Sequence, residues 1–149
     1  MKEDSIMQMA PEHVRQVAQL EQLCFPDPWP EAAIAGELTN PLSLWLVAMR
    51  ENRVCGYIGS QSVMDEADVM NLAVHPDCRR FGLGTKLVLG LIERLQANQV
   101  RQLTLEVRAS NDGAQRFYRA LGFTQVGRRP NYYCQPREDA LILRKEWEL

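Results

Sequence analysis

Residues 79–84 read Arg-Arg-Phe-Gly-Leu-Gly. Arg79 and Arg80 supply fixed cationic donors, while Gly82 and Gly84 permit unusual φ angles and close backbone approach. A helix starting here would add free N–H groups and the positive end of its dipole, completing a cradle for an anion such as a pyrophosphate. The same residues equally suit a plain turn between a strand and a helix. The loop is neither a Walker loop, which needs Gly-Lys-Ser/Thr, nor Gly-x-Gly-x-x-Gly. Further on, Leu103, Leu105 and Val107 alternate with Thr104 and Glu106, which sets a carboxylate on the polar face of a strand. Tyr118 shares a helical face with Ala114, Phe117 and Leu121. On spacing alone, Glu106 reads equally as a solvated carboxylate and Tyr118 as a core tyrosine.

The elements that must position these groups follow from periodicity. Val14, Val17, Ala18 and Leu20 recur at helical spacing and predict a helix over residues 13–24. The run Phe25-Pro26-Asp27-Pro28-Trp29-Pro30 breaks it into a shaped loop, and a short helix restarts over 31–38. Residues 44–49 and 54–63 read as a strand hairpin around a polar turn, and a third strand over 69–74 ends at Pro76. Leu87, Val88, Leu91, Ile92 and Leu95 give a helix over 84–99 with one face on a sheet. A strand over 103–107 and a helix from 111 or 112 to 121, stopped by Gly122, come next. Two last strands, 125–126 and 140–144, flank a polar loop holding Asn131, Tyr132 and Tyr133. With neither repeats nor linkers, residues 1–149 are expected to form one α/β domain, a mixed sheet with helices on both faces.

Composition narrows the function classes. A 149-residue chain with 46% hydrophobic residues can bury one sizeable core. Seventeen Lys and Arg against nineteen Asp and Glu leave a formal charge of -2, which gives no general attraction to nucleic acid or an anionic membrane. Apolar runs such as 42–49 are far shorter than the ~20 residues that span a bilayer, and residues 1–10 are too polar for a signal peptide, so a cytoplasmic protein is expected. Cys24, Cys55, Cys78 and Cys134 are far apart and form no Cys-x-x-Cys pair. Only His13 and His75 offer imidazole, so reduced thiols and no metal are expected.

Taken together, these segments resemble the GNAT superfamily of N-acetyltransferases. The superfamily's Gln/Arg-x-x-Gly-x-Gly/Ala signature is matched by residues 79–84, and Asn71-Leu72-Ala73-Val74-His75-Pro76 fits its Val-x-Pro strand end. Leu105-Glu106-Val107-Arg108-Ala109-Ser110-Asn111, Phe117-Tyr118, Leu121-Gly122-Phe123, Arg129-Pro130-Asn131-Tyr132-Tyr133 and Glu138-Asp139-Ala140 resemble more narrowly the bacterial ribosomal-protein alanine N-acetyltransferases of the RimI type. The likeness is strongest over 71–144 and weakest before Leu44.

The resemblance implies a mostly antiparallel sheet splayed at its centre, with acetyl-CoA in the V-shaped gap. Its pyrophosphate would lie on Arg79, Arg80, Phe81, Gly82, Leu83, Gly84 and Thr85, and its pantetheine arm on the backbone of Leu72, Ala73 and Val74. A strand bulge there could aim an N–H at the thioester carbonyl. Asn111 would bind the cofactor's arm, or is simply the N-cap of its helix. Glu106 would be the proton acceptor and Tyr118 the proton donor for direct attack in a ternary complex. The Phe25 to Pro30 loop with Trp29, and Asn131, Tyr132 and Tyr133, would by the same analogy meet a peptide N-terminus; Asp65, Glu66 or Glu138 could draw a basic one, or Trp29 is a hydrophobic clasp over the sheet edge and the acids are ordinary surface charges.

Reference acidities constrain that scheme. A Glu at about 4.3 takes a proton from an α-ammonium at about 7.7–8.0 only uphill, by roughly 5 kcal/mol, unless burial or a water relay narrows the gap. A phenol at about 10 protonates a thiolate at about 8.5 uphill by about 2 kcal/mol, so a hydrogen bond to the developing thiolate comes first. An α-amine is neutral for roughly one molecule in ten at pH 7, against about one in 2,500 for lysine, which favours an N-terminal acceptor. The expected substrate is the N-terminal alanine of a small-subunit ribosomal protein. The competing readings are acetylation of a small amine or protein lysine on the same scaffold, and a non-catalytic CoA-binding module.

Overall fold

The computed structural model describes residues 4–79 and 82–149. Seven strands form one sheet in the order β1-β2-β3-β4-β5-β7-β6: β1 Asp4–Gln8, β2 Ser43–Arg50, β3 Arg53–Val63, β4 Glu66–Val74, β5 Gln102–Arg108, β6 Thr124–Cys134 and β7 Arg137–Glu146. Every neighbouring pair is antiparallel except β4 and β5. The expected fold class, a mostly antiparallel mixed sheet with helices on both faces, is what is observed.

Period-two alternation decides which side chains meet which layer. In β2, Trp45, Val47 and Met49 join the core under α1 (Val14–Cys24) and α2 (Glu31–Glu37), while Leu46 and Ala48 join the opposite core. That second core lies under α3 (Leu83–Ala97) and α4 (Asp112–Ala120) and takes Leu83, Leu87, Val88, Leu91, Ile92 and Leu95 from α3. α1 stops at Cys24 because prolines at 26, 28 and 30 follow, and Pro30 then occupies the N-cap of α2. Gly122 follows α4 at φ 95°, the left-handed value that a helix-ending glycine tolerates without strain.

The centre of the sheet is incomplete. β4 and β5 share only the register pairs Glu66↔Gln102, Ala67↔Leu103 and Asp68↔Thr104, although β4 stays paired to β3 through Val74 and β5 to β7 through Arg108. Between Gly59↔Asn71 and Ser60↔Val69 the register skips Met70, so β4 carries a bulge where the strands part.

Two elements differ from expectation. The N-terminal strand β1 was not foreseen; it adds to β2 and is anchored by Arg50 Nε on Asp4 Oδ1 at 2.8 Å. Asn131, Tyr132 and Tyr133, expected in a polar loop, lie within β6, and the hairpin turns at Gln135–Pro136 instead. β6 is an edge strand with almost every side chain exposed, so it lacks the apolar alternation that marks a strand, and Pro130 is tolerated there.

Candidate active site

Where β4 and β5 part, a cavity of about 690 Å³ opens. Its walls are Val69, Met70, Asn71 and Leu72 of β4, Leu105 to Arg108 of β5, Asn111, Ala114 and Tyr118 at α4, Cys24 at the end of α1 with Phe25, Pro26, Asp27 and Trp29 of the loop after it, and Tyr132 and Tyr133 of β6. Glu106 and Tyr118 thus face one space from a strand and a helix. The Glu106 side chain is 28% exposed, with Arg129 Nε 3.6 Å from Oε1. Tyr118 is 7% exposed and packed edge-on against Phe117 and Phe123, with ring centroids at 5.0 and 5.4 Å. Burial pushes its phenol well above the usual tyrosine range.

At one end of the gap, Gly82 stands at the N-cap of α3, with left-handed φ of 70° and ψ of 19°, and gives the helix no side-chain cap. Among the described residues no side chain caps the first N–H groups of α3, at Leu83, Gly84 and Thr85, the local requirement for holding an anion. Gly84 has a different role: a Cβ there would sit 3.3 Å from Phe117, so its absence lets α3 start close against α4. Arg79 folds back, its Nε donating to the Val74 carbonyl at 3.2 Å. Arg80 and Phe81 lie outside the described residues. Leu72 lines the cavity, and Ala73 and Val74 continue the same strand beyond it. Asn111 fits both of its expected readings: its Oδ1 accepts from Ala114 N–H at 3.0 Å as the N-cap of α4, and the residue also borders the cavity.

The opposite wall is aromatic. Trp29 packs edge-on against Trp45 at 5.5 Å, so it belongs partly to the core and partly to the cavity. Tyr133 lies beneath the Arg108 guanidinium, 4.3 Å from its ring centroid, and Arg108 is held by Glu138 at 3.2 Å and the Pro136 carbonyl at 2.9 Å. Burial first, then the neighbouring Tyr132 and Glu106, pushes the Tyr133 phenol up to about 12.

Four residues expected on the substrate side are not among the cavity's walls. Asn131 does not reach the cavity; it sits at φ 54° in a β6 bulge and donates its N–H to Asp139 Oδ1 at 2.9 Å. Asp65 and Glu66 stand at the closed end of the gap, Asp65 paired with Arg101 at 3.0 Å. Glu138 is engaged by Arg108 and by the Ser110 N–H at 2.6 Å.

Sequence reasoning missed Glu21, Tyr57 and the side chain of Asn71. Glu21 is fully buried and accepts from Trp29 N–H at 2.9 Å, from Asn71 Nδ2 at 2.9 Å and from the Tyr57 hydroxyl. A signal was present, since Val14, Val17, Ala18 and Glu21 fall on one helical stripe and a carboxylate on an apolar stripe needs partners. Among the described residues no group of three or more His, Cys, Asp or Glu could hold a metal, all four cysteines are free, and no helix is long and apolar enough to cross a membrane.

This splayed sheet, with an uncapped helix start at one end of the gap and a carboxylate and a phenol inside it, is the architecture of an acetyl-transferring enzyme. Residues 14–123 match the acetyltransferase (GNAT) family model, and the chain belongs to that family as an acetyl-CoA-dependent N-acetyltransferase. It is 41% identical over 128 residues to the [ribosomal protein bS18]-alanine N-acetyltransferase of Salmonella typhimurium, covering 84% of this chain and 85% of that one. The Escherichia coli K12 protein of the same name is 38% identical over 126 residues, covering 83% and 84%. The crystal structure of the Escherichia coli ribosomal-protein-S18-alanine N-acetyltransferase superposes with a TM-score of 0.90 at 33% identity, covering 99% of this chain and 96% of that one.

Proposed function

We propose that residues 1–149 work as one catalytic domain in the cytoplasm, transferring the acetyl group of acetyl-CoA to the α-amine of the N-terminal alanine of ribosomal protein bS18. The observation that carries this reading is the early end of β4–β5 pairing, which exposes Glu106 and Tyr118 to one cavity walled on its far side by Trp29, Tyr132 and Tyr133. The relatives named above, matched over more than four fifths of both chains, support the choice of acceptor.

In this reading the α3 start at Gly82, Leu83, Gly84 and Thr85, with Arg79, Arg80 and Phe81, holds the pyrophosphate. The free edge of Leu72, Ala73 and Val74 pairs with the pantetheine arm, and an N–H near the Met70 bulge polarises the thioester carbonyl. Asn111 caps α4 through its oxygen and offers its amide N–H groups to the arm. Glu106 takes the proton lost by the substrate ammonium, directly or through water, which its partial exposure permits. The amine nitrogen then bonds to the acetyl carbon as the carbon–sulfur bond breaks. Tyr118, kept protonated by its burial, donates a hydrogen bond and then its proton to the departing sulfur, and the second proton shed by the acylated nitrogen as it becomes an amide restores the phenol. Trp29, Tyr132 and Tyr133 flank the acceptor, while Asn131 serves by holding the β6 bulge.

The test is acetylation of a peptide carrying the bS18 N-terminus, read by tandem mass spectrometry. One acetyl group on the α-amine is expected, with none on a copy whose N-terminus is blocked but which keeps its lysines. Acetylation of the blocked copy, or faster turnover of small amines than of the peptide, would overturn the choice of acceptor.

A further inference from the structure

Among the described residues Glu21 hydrogen-bonds to neither the anion cradle nor Glu106 or Tyr118, yet it joins two walls of the cavity. Its three donors come from three separate segments: the Trp29 N–H from the acceptor-side loop, the Asn71 amide from β4 one residue past the Met70 bulge, and the Tyr57 hydroxyl from β3. The aromatic rings close the circuit. Trp29 packs on Trp45 at 5.5 Å, Trp45 stacks on Tyr57 at 5.8 Å and 5°, and Tyr57 returns to Glu21. A buried carboxylate is poorly tolerated unless its lone pairs are filled, so Glu21 holds its neighbours in a geometry that an apolar side chain on the same stripe could not impose. Burial pushes its carboxyl upward, and the Trp29 and Asn71 donors pull against that shift.

We infer that Glu21 is a positioning residue that locks the acceptor-side loop to the bulged part of β4, setting the distance between the incoming amine and the thioester carbonyl. This rests on the acetyl-transfer reading above and deepens it. Because the described residues of the cradle at α3 share no hydrogen bond with Glu21, the inference separates two affinities that a loosened fold would lower together.

The experiment measures Glu21→Gln, Asn71→Ala and Tyr57→Phe with the bS18 N-terminal peptide and, by calorimetry, with acetyl-CoA alone. Glu21→Gln keeps one acceptor oxygen but turns an N–H₂ group toward donors. Its peptide KM should rise by about 10-fold or more, because displacements on the order of 1 Å from productive geometry are costly. Its acetyl-CoA Kd should stay within about 3-fold of wild type, since the phosphate contacts lie elsewhere. A smaller rise in the same direction is expected for Tyr57→Phe, which leaves the Trp29 clamp in place. A folded Glu21→Gln protein with an unchanged peptide KM overturns the proposal, as does a parallel loss of acetyl-CoA binding. Should Glu21→Gln fail to fold, the same split read in Asn71→Ala and Tyr57→Phe decides, and its absence in both is equally fatal. Wild-type chain that leaves the peptide unmodified would instead overturn the parent reading of the acceptor, and this one with it.

Discussion

Glu106 and Tyr118 reach the same cavity from opposite surroundings, and in the proposed reading the contrast divides the work between them. The Glu106 carboxylate is part-exposed beside Arg129, so a proton it takes can pass on to solvent. Tyr118 is caged by Phe117 and Phe123, and burial holds its proton on, which suits a donor that must stay charged with hydrogen until sulfur departs. Glu106→Gln should therefore lower kcat by on the order of 10²-fold or more, the usual scale for a lost proton-transfer group, and Tyr118→Phe by on the order of 10–10²-fold. Acetyl-CoA binding by calorimetry should hardly change in either variant. A Glu106→Gln enzyme with wild-type kcat would show that the amine arrives already neutral. The raised Tyr118 phenol adds a pH signature: it stays protonated throughout the range in which an exposed tyrosine ionises. Activity at the alkaline end should accordingly show no loss that Tyr118→Phe abolishes.

Among the elements, the proposed reading gives the positioning to the start of α3 and the bulge in β4, and each depends on a backbone feature rather than on a side chain. Gly82→Ala forces a Cβ into a left-handed φ of 70° at the helix N-cap, at a cost of about 1 kcal/mol or more, although open space surrounds the position. Relief of that strain would turn the cradle's N–H groups away, so acetyl-CoA Kd should rise by roughly 5-fold or more, since about 1 kcal/mol is a factor of five. Gly36→Ala is the matched control: it is a helical glycine with nothing within 4 Å of the added carbon, and it should raise stability by roughly 0.5–1 kcal/mol without touching Kd. Equal effects of the two on acetyl-CoA binding would dissociate Gly82 from the cradle. The same division explains what could be read beforehand. α1, α3 and β5 were legible from their periodic apolar positions, β2 and β3 as short apolar runs buried on both faces, and Glu106 and Tyr118 because they sit in a motif of fixed order. β1 and most of β6 were not, since edge strands bury little and carry no alternation. The parting of β4 from β5 was also hidden from periodicity, because a strand that loses its neighbour keeps its own side-chain pattern; only the family resemblance anticipated it. The Glu21 stripe was legible but was read for its apolar members alone.

For the molecule as a whole, the sheet is held at its two edges by carboxylates whose titration can be given a sign. Asp4 is held below the usual range chiefly by its hydrogen bond from Arg50, Glu138 by Ser110 and then Arg108, and Asp139 by the Asn131 N–H and then Arg128. A carboxyl lowered in the folded state stabilises it above the unfolded value, about 4, and that contribution fades as pH falls through the lowered value. Glu21 runs the other way: its raised carboxyl takes up a proton more readily folded than unfolded, so acidification favours the fold at that one site. On acidification the three lowered carboxyls lose their contribution while Glu21 gains one. The loss falls most on the β6–β7 hairpin, where Glu138 and Asp139 stand beside the Arg108–Tyr133 contact. Urea denaturation followed from about pH 7 to about pH 3 should thus show a midpoint that drops below roughly pH 4.5, where carboxylates begin to protonate. Glu138→Gln combined with Asp139→Asn should start from a lower midpoint at neutral pH yet lose less on acidification, because two of the titrating groups are gone. Glu21→Gln should lose more, because the group that opposed the trend has been removed. Parallel acid limbs in all three proteins would mean that stability against acid is set by the chain's overall charge rather than by these named carboxyls, and the opposite-signed response of Glu21 is the comparison that separates the two.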